Sequence, residues 1–172
     1  MKTILQTPRL ILRELTPKDA QNFYELNLNP NVVKYTGDAA FQSISEADEF
    51  LRNYSEYEKT GYGRWAVIDK ESSKFLGWCG LKLEGRETDI GFRFFEEYWN
   101  KGYATESAGA CLEYGFDKLR LNEIIGRAMK ENTASVKVLE KLGLKYVGEM
   151  ECALHPGVLY KMTWQEFYKS GS

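Results

Sequence analysis

The sequence is poor in the residues that mark metal-binding and disulfide-rich proteins. Of its 172 residues only three are cysteine and one is histidine, and Cys79, Cys111 and Cys152 are far apart, with no Cys-x-x-Cys pair. These cysteines cannot complete a zinc site with His155, and their odd number does not describe a disulfide framework. We therefore expect reduced thiols, no metal and a cytoplasmic location.

Long hydrophobic runs and blocks of one charge are missing as well. No apolar stretch approaches the length of a membrane span, and Gln6, Pro8 and Arg9 interrupt any signal-peptide core. The 23 Lys and Arg residues are scattered among 25 Asp and Glu residues without forming a basic run. We therefore expect no membrane partner and no nucleic-acid partner. The length predicts a single domain over residues 1–172.

Apolar periodicity and turn residues predict strands that alternate with helices. The expected strands cover residues 9–15, 64–69, 75–83, 87–95, 122–128, 144–152 and 158–164. The expected helices cover residues 17–29, 43–59, 103–119 and 133–142. Gly77 and Gly80, within the third strand, indicate a bulge or a close backbone approach. This order of elements predicts an α/β (α+β) protein with a mixed sheet.

The segment from Asp89 to Ser107 carries the strongest functional signal. It is an apolar strand that breaks at Asn100-Lys101-Gly102 and continues as a helix. The first N–H groups of a helix lack internal partners, and the helix dipole adds about half a positive charge there. Gly102 leaves these groups open and Lys101 adds a positive charge, so the pattern predicts a phosphate or pyrophosphate site. The alternative is an ordinary turn between a strand and a helix.

Known phosphate motifs do not describe this loop. The Gly-Lys-Ser/Thr end of a Walker loop and the three spaced glycines of a dinucleotide fingerprint are both missing. Trp99-Asn100-Lys101-Gly102-Tyr103-Ala104 instead resembles the pyrophosphate loop Gln/Arg-x-x-Gly-x-Gly/Ala of the GNAT acetyltransferases, with Trp99 in the leading position.

Two further blocks are similar to the Rim-type branch of that family, the ribosomal-protein N-terminal acetyltransferases. They are Thr7-Pro-Arg9-Leu-Ile-Leu-Arg13 and Asn132-Thr-Ala-Ser135-Val-Lys-Val-Leu139-Glu-Lys-Leu-Gly143. The blocks follow the family's order along nearly the whole chain. The resemblance implies the GNAT fold, with a mixed, mostly antiparallel central sheet that is flanked by helices and splayed at the acetyl-CoA cleft.

The resemblance also implies a set of site residues. The residues expected to bind the cofactor are Phe92, Arg93, Phe94, Asn100, Lys101, Gly102, Tyr103, Ala104, Thr105, Asn132 and Ser135. Many family members carry a catalytic Tyr where this chain has Leu139, so Ser135 is expected to assist the departing thiolate. Asp89 or Glu87 would accept the amine proton, directly or through water. The alternative for both carboxylates is an exposed strand or turn charge.

The function implied is an acetyl-CoA-dependent N-acetyltransferase that acts on a primary amine. The Rim-type likeness implies a protein N-terminal α-amine as acceptor. A small-molecule amine (polyamine, amino acid or antibiotic) is the alternative. A non-catalytic CoA-binding sensor is a further alternative, which the missing Tyr at Leu139 leaves open. Members of this family often form dimers, so a homodimer is open too.

Overall fold

One eight-stranded sheet organises the chain. The computed structural model describes residues 1–170, and the last two residues of the predicted domain lie outside that range. The strands are β1 (Thr3–Gln6), β2 (Leu10–Glu14), β3 (Arg64–Asp69), β4 (Phe75–Glu84), β5 (Glu87–Phe94), β6 (Glu123–Met129), β7 (Lys145–Cys152) and β8 (His155–Thr163). They lie in the order β1–β2–β3–β4–β5–β6–β8–β7, and only the β5–β6 pair is parallel.

Helices cover both faces of this sheet. They are α1 (Ala20–Leu28), α2 (Pro30–Val33), α3 (Ile44–Arg52), α4 (Glu56–Thr60), α5 (Tyr103–Asp117), α6 (Thr133–Lys141) and α7 (Trp164–Ser170). Successive side chains of a strand point to opposite faces. Trp65 and Val67 accordingly enter the core beneath α5 and α6, while Ala66 between them enters a second core beneath α1 and α3. No helix within residues 1–170 has both the length and the apolar character needed to cross a membrane.

The sheet opens between its two parallel strands. β5 pairs with β4 from Glu87 to Phe94, but it pairs with β6 only at Asp89–Ile125 and Ile90–Gly126. Beyond these pairs the two strands separate and leave a fork with unpaired backbone on both sides. The predicted mixed, mostly antiparallel sheet with a splay is therefore confirmed.

Two glycines of β4 lie where a neighbouring backbone approaches closely. The pairing of β3 with β4 shifts register between Val67 and Ile68, which is the bulge that Gly77 predicts. A Cβ on Gly77 would lie 2.1 Å from the carbonyl oxygen of Arg93, and one on Gly80 would lie 2.2 Å from that of Gly63. Both positions therefore require glycine because another backbone occupies the space of a side chain.

The sequence pattern missed several short elements. β1, α2 and α7 were not expected, and the helix predicted over 43–59 is divided into α3 and α4. The break contains Tyr54, whose hydroxyl accepts the N–H of Arg64 at 2.8 Å. In α4, the hydroxyl of Tyr57 accepts the N–H of Leu15 at 2.9 Å. Because these hydroxyls bond backbone groups far along the chain, tertiary contacts override the helical periodicity of this segment.

Candidate active site

The loop from Asn100 to Thr105 has the geometry of an anion site. Asn100 and Gly102 both adopt left-handed backbone conformations, with φ of 59° and 81°. The first backbone bond of α5 runs from the N–H of Glu106 to the carbonyl of Gly102. Within the described residues, the N–H groups of the half-buried Tyr103, Ala104 and Thr105 therefore bond no acceptor at this end of the helix.

Arg9 lies at the mouth of this loop, a position that the sequence pattern did not reveal. Its Nε donates to Glu106 Oε2 at 2.6 Å, and its Nη1 donates to the carbonyl of Lys101 at 3.0 Å. Its Nη2 lies 3.3 Å from where a Cβ on Gly102 would be. Burial alone would raise the pKa of Glu106, but the bonds from Thr7 and Arg9 outweigh it and lower that pKa. Arg9 therefore presents a guanidinium edge beside the free N–H groups.

Two neighbours of the loop have structural roles. Trp99, which takes the place of a polar residue in the family pattern, donates its Nε1–H to the carbonyl of Phe94 at 2.9 Å. The carboxylate of Glu96 faces α2, where it accepts from Asn29 Nδ2 at 2.7 Å and from Asn31. These bonds lower the pKa of Glu96. Its negative charge is thus held by amides instead of lying free beside the anion site.

The edge of β5 offers alternate backbone groups to the fork. The N–H of Phe95 donates to the carbonyl of Leu76 on β4. Because alternate residues of an antiparallel pair bond the same partner, Arg93 also turns its backbone toward β4, whereas Phe92 and Phe94 face the gap. The side chain of Arg93 bonds Asn27 Oδ1 at 2.7 Å. The backbone of Phe92 and Phe94 therefore faces the fork, whereas Arg93 lines the cavity only with its side chain, and its expected contact with the cofactor arm stays a prediction.

The head of α6 forms the other wall of the fork. Asn132 is the N-cap, and its Oδ1 accepts the N–H of Ser135. Its Nδ2 lies 2.9 Å from Ser135 Oγ, so the amide donates and the hydroxyl accepts. The proton of Ser135 is then free to point elsewhere. Leu139 is buried and fills the space above Gly126, where a Cβ would lie 2.6 Å from Leu139 Cδ2.

A cavity of about 430 Å³ passes through the fork and joins the two faces of the sheet. On one face it is lined by the α6 residues Asn132 and Ser135. On the other face it is lined by Trp78, Asp89 and Arg127. We call these the α6 side and the open side of the cleft. A ligand that enters from the α6 side can therefore meet a second molecule that enters from the open side.

Asp89 lies at the base of the open side, clamped between two arginines. Its Oδ1 accepts from Arg64 Nη2 at 2.7 Å, and its Oδ2 accepts from Arg127 Nη2 at 3.2 Å. Arg127 Nη2 also reaches Glu84 Oε2 at 2.8 Å. Both oxygens of Asp89 are thus engaged, which argues against its expected role as a base. Glu87 is exposed at the start of β5 and outside the cavity lining, so the structure does not bring it to the site.

A bridge of two loops covers the open side. Ala153 and Leu154 form the tip of the β7–β8 hairpin with left-handed φ values of 49° and 66°. A Cβ on Gly37 would lie 2.4 Å from the Cβ of Ala153, so the loop after α2 touches this tip. Asp38 in that loop is paired with Arg93 at 2.7 Å. The two loops therefore partly cover the open side, which we call the chamber.

Comparison with known proteins shows which family has this fold and cleft. A family model described as an acetyltransferase (GNAT) domain matches residues 9–145. The chain belongs to the GNAT acetyltransferase superfamily. The expected fold is confirmed by this match and by the structural likenesses below, and the chain is an N-acetyltransferase.

Relatives of this GNAT chain match it over most of its length. The uncharacterized N-acetyltransferase YnaD of Bacillus subtilis (strain 168) is 32% identical over 166 residues, covering 95% of this chain and 94% of YnaD. A GNAT-family acetyltransferase from Bacillus anthracis has a TM-score of 0.81 at 27% identity, covering 96% of this chain and 99% of that one. Spermidine N-acetyltransferase from Vibrio cholerae, solved with CoA and spermine, has a TM-score of 0.81 at 22% identity, covering 94% and 99%.

The family uses acetyl-CoA, and the chemistry of the cleft fits this cosubstrate. The free N–H groups ahead of α5 suit a diphosphate, and the unpaired edge of β5 suits an amide-containing arm. Among residues 1–170 no cluster of three or more His, Cys, Asp or Glu side chains is placed to hold a metal ion.

Proposed function

We propose that this GNAT protein transfers the acetyl group of acetyl-CoA to the primary amine of a small molecule. The observation that carries the proposal is the cavity at the fork, whose lining includes Asn132 and Ser135 on the α6 side and the charged residues Arg64, Asp89 and Arg127 on the open side. Donor and acceptor would meet at the point where β5 and β6 separate.

The donor would be bound by main-chain groups and two cations. The N–H groups of Tyr103, Ala104 and Thr105 would hold the diphosphate, with Lys101 and Arg9 adding positive charge. The left-handed conformations of Asn100 and Gly102 keep that turn open. The backbone of Phe92 and the amide of Asn132 would bind the pantetheine arm, which adds to β5 like a short strand.

The chain's own groups would then carry the transfer. The N–H groups of Phe92 and Phe94 face the gap and would stabilise the oxyanion of the tetrahedral intermediate. Ser135 would donate its proton to the departing thiolate, since its oxygen already accepts from Asn132. The amine would lose its proton to water. The guanidinium groups of Arg64 and Arg127 would assist by disfavouring the ammonium form.

The partly covered chamber favours a small acceptor. The cavity of about 430 Å³ includes both sides of the fork, so the part beneath the bridge of loops suits a molecule of modest size. A protein N-terminal α-amine, implied by the Rim-type likeness, is the second candidate. The Rim-type branch, the homodimer, the single domain over 1–172 and the cytoplasmic location stay predictions.

A thiol-release assay tests the proposal. We expect acetyl-CoA to bind saturably in calorimetry, and free CoA to appear when small primary amines are added. Peptides with free N-termini form the comparison arm, and their N-acetylated forms are the control. Saturable binding without CoA release in any arm would contradict the proposed transfer. Release with peptides alone would replace the small-molecule acceptor with a protein terminus.

Removing the Ser135 hydroxyl should slow turnover without weakening donor binding. We expect Ser135→Ala to lower kcat by about 10- to 100-fold, because the thiolate would leave without a proton donor. The Kd for CoA should stay within about twofold, since Asn132 still caps α6. Thr133→Ala, also in the first turn of α6, is the matched control and should keep the wild-type rate. Ser135→Ala enzyme running at full rate would remove Ser135 from the mechanism.

A further inference from the structure

The deep part of the open side carries more guanidinium than carboxylate. The side chains of Arg64, Arg93 and Arg127 are only 16%, 12% and 23% exposed. Asp89, at 12%, is the one similarly buried carboxylate of this group. Glu84 and Asp38 are 46% and 60% exposed, and Glu151 on β7 is exposed as well. The positive charges therefore lie inside the chamber, and most of the negative charges lie at its rim, where solvent screens them.

Arg127 has donors left over. Both of its bonds are made by Nη2, to Glu84 and to Asp89. In the described part of the chain, its Nε and Nη1 have no acceptor, although a guanidinium carries five N–H donors. Arg127 follows Gly126, the last residue of β6 that pairs with β5, so it stands where the fork begins. Arg127 lines the cavity next to the expected point of acetyl transfer, with these donors unused.

We infer that the acceptor is an amine that carries an anionic oxyacid group, a carboxylate or a phosphonate, within a few bonds of its nitrogen, and that Arg127 binds this group. The inference rests on the proposed function and names its substrate class. A guanidinium edge matches the two oxygens of a carboxylate or phosphonate and holds them in a fixed geometry. Arg127 would thereby turn the amine toward the fork.

The same charges disfavour a polyamine. A second ammonium placed close to one of these guanidinium groups would be repelled by it, because like charges in a partly buried site are poorly screened. The one buried carboxylate that could offset this, Asp89, already bonds two arginines. Among the described residues the carboxylates left for a second cation lie at the rim, as Glu151 does, whereas an acceptor anion would fill the unused donors inside.

Matched acceptors test the inference by initial-rate thiol release with the intact chain. One arm compares α-amino acids of varied side chain with their carboxamides, which remove the charge and keep the skeleton. A second arm compares 2-aminoethylphosphonate with propylamine, which separates phosphonate from carboxylate. Spermidine is the polycation arm. We expect kcat/KM to be at least about tenfold higher for the anionic member of one pair, a preference equal to about 1.4 kcal/mol.

Substitution of Arg127 tests whether this residue causes the preference for anionic acceptors. Arg127→Gln should reduce the anionic-to-neutral ratio of kcat/KM to about one, mainly through KM, and Arg127→Lys should restore it only in part because a lysine lacks the planar fork. Arg52→Gln, at an exposed surface pair, is the control and should leave the ratio unchanged. Calorimetry with CoA checks that each variant is folded.

The possible results distinguish failure of the anionic-acceptor inference from failure of the proposed acetyl transfer. Turnover with the neutral amines or spermidine at rates equal to or above those of the anionic acceptors would overturn the inference and leave the proposed function intact. An unchanged ratio in folded Arg127→Gln would also overturn it, because the preference would then come from another group. Absence of CoA release with every acceptor would overturn both.

Discussion

Gly102→Glu should lower the affinity for acetyl-CoA by at least about 100-fold, or about 3 kcal/mol. The new side chain would start at the mouth of the anion site, where its Cβ would lie 3.3 Å from Arg9 Nη2. Its carboxylate would repel the diphosphate and compete for the free N–H groups of α5. Isothermal titration calorimetry with CoA measures the loss directly.

Gly61→Glu is the matched control for this substitution. Gly61 adopts a similar left-handed conformation, with φ of 84° against 81° for Gly102, and a Cβ there would meet nothing within 4 Å. Both variants therefore carry the same backbone strain and the same added charge. We expect Gly61→Glu to bind CoA as the wild type does. Equal affinity in the two variants would show that the diphosphate binds elsewhere.

Local signals in the sequence predicted most of the fold. The strands around the cleft and helices α5 and α6 have clear apolar periodicity, and their bounds agree with the prediction to within a few residues. The elements that were missed are short or depend on distant partners. α2 has only four residues, and the break between α3 and α4 contains Tyr54, which bonds the backbone of Arg64 ten positions away. Such contacts leave no periodic trace.

The anion loop and the open side of the cleft also differ in how far the local sequence predicts them. The anion loop is contiguous, so Gly102 and its neighbours could be predicted from the local sequence and its resemblance to the family loop. The open side is assembled from separate strands, with Arg64 on β3, Asp89 on β5 and Arg127 on β6. The sequence marks only Asp89 and does not show its two arginine partners, and the role of Asp89 as a base stays a prediction. The available signal for Arg64 and Arg127 was a charged residue in a strand that is otherwise mainly apolar.

The backbone of β5 gives a further example. Phe92, Arg93 and Phe94 are adjacent in the family pattern and were assigned together. Sheet pairing divides them, because alternate residues face β4 and the fork. The hydrogen bond from Phe95 to Leu76 shows which residues of β5 face β4 and which face the fork. This depends on the register of β4 against β5, which the sequence does not reveal.

Asp89→Asn should damage stability more than the chemistry. Asn cannot neutralise Arg64 and Arg127, whose guanidinium groups would be left side by side in a partly buried site. Removing one partner of a buried ion pair costs about 3 to 5 kcal/mol, and partial exposure places this case near the lower figure. For a chain of this size that is a fall in Tm of roughly 6 to 12 °C. Thermal unfolding measures the change.

The pH profile separates this clamp from a catalytic base. If Asp89 accepted the amine proton, Asp89→Asn would lower kcat by about 10²- to 10⁴-fold and abolish the acidic limb of the kcat/KM profile. If water accepts it, the folded fraction of the variant should keep that limb, because the limb reports the amine itself. Asp48→Asn, which breaks the exposed pair with Arg52, is the control and should change Tm little. A variant with unchanged Tm and no acidic limb would return Asp89 to the role of base.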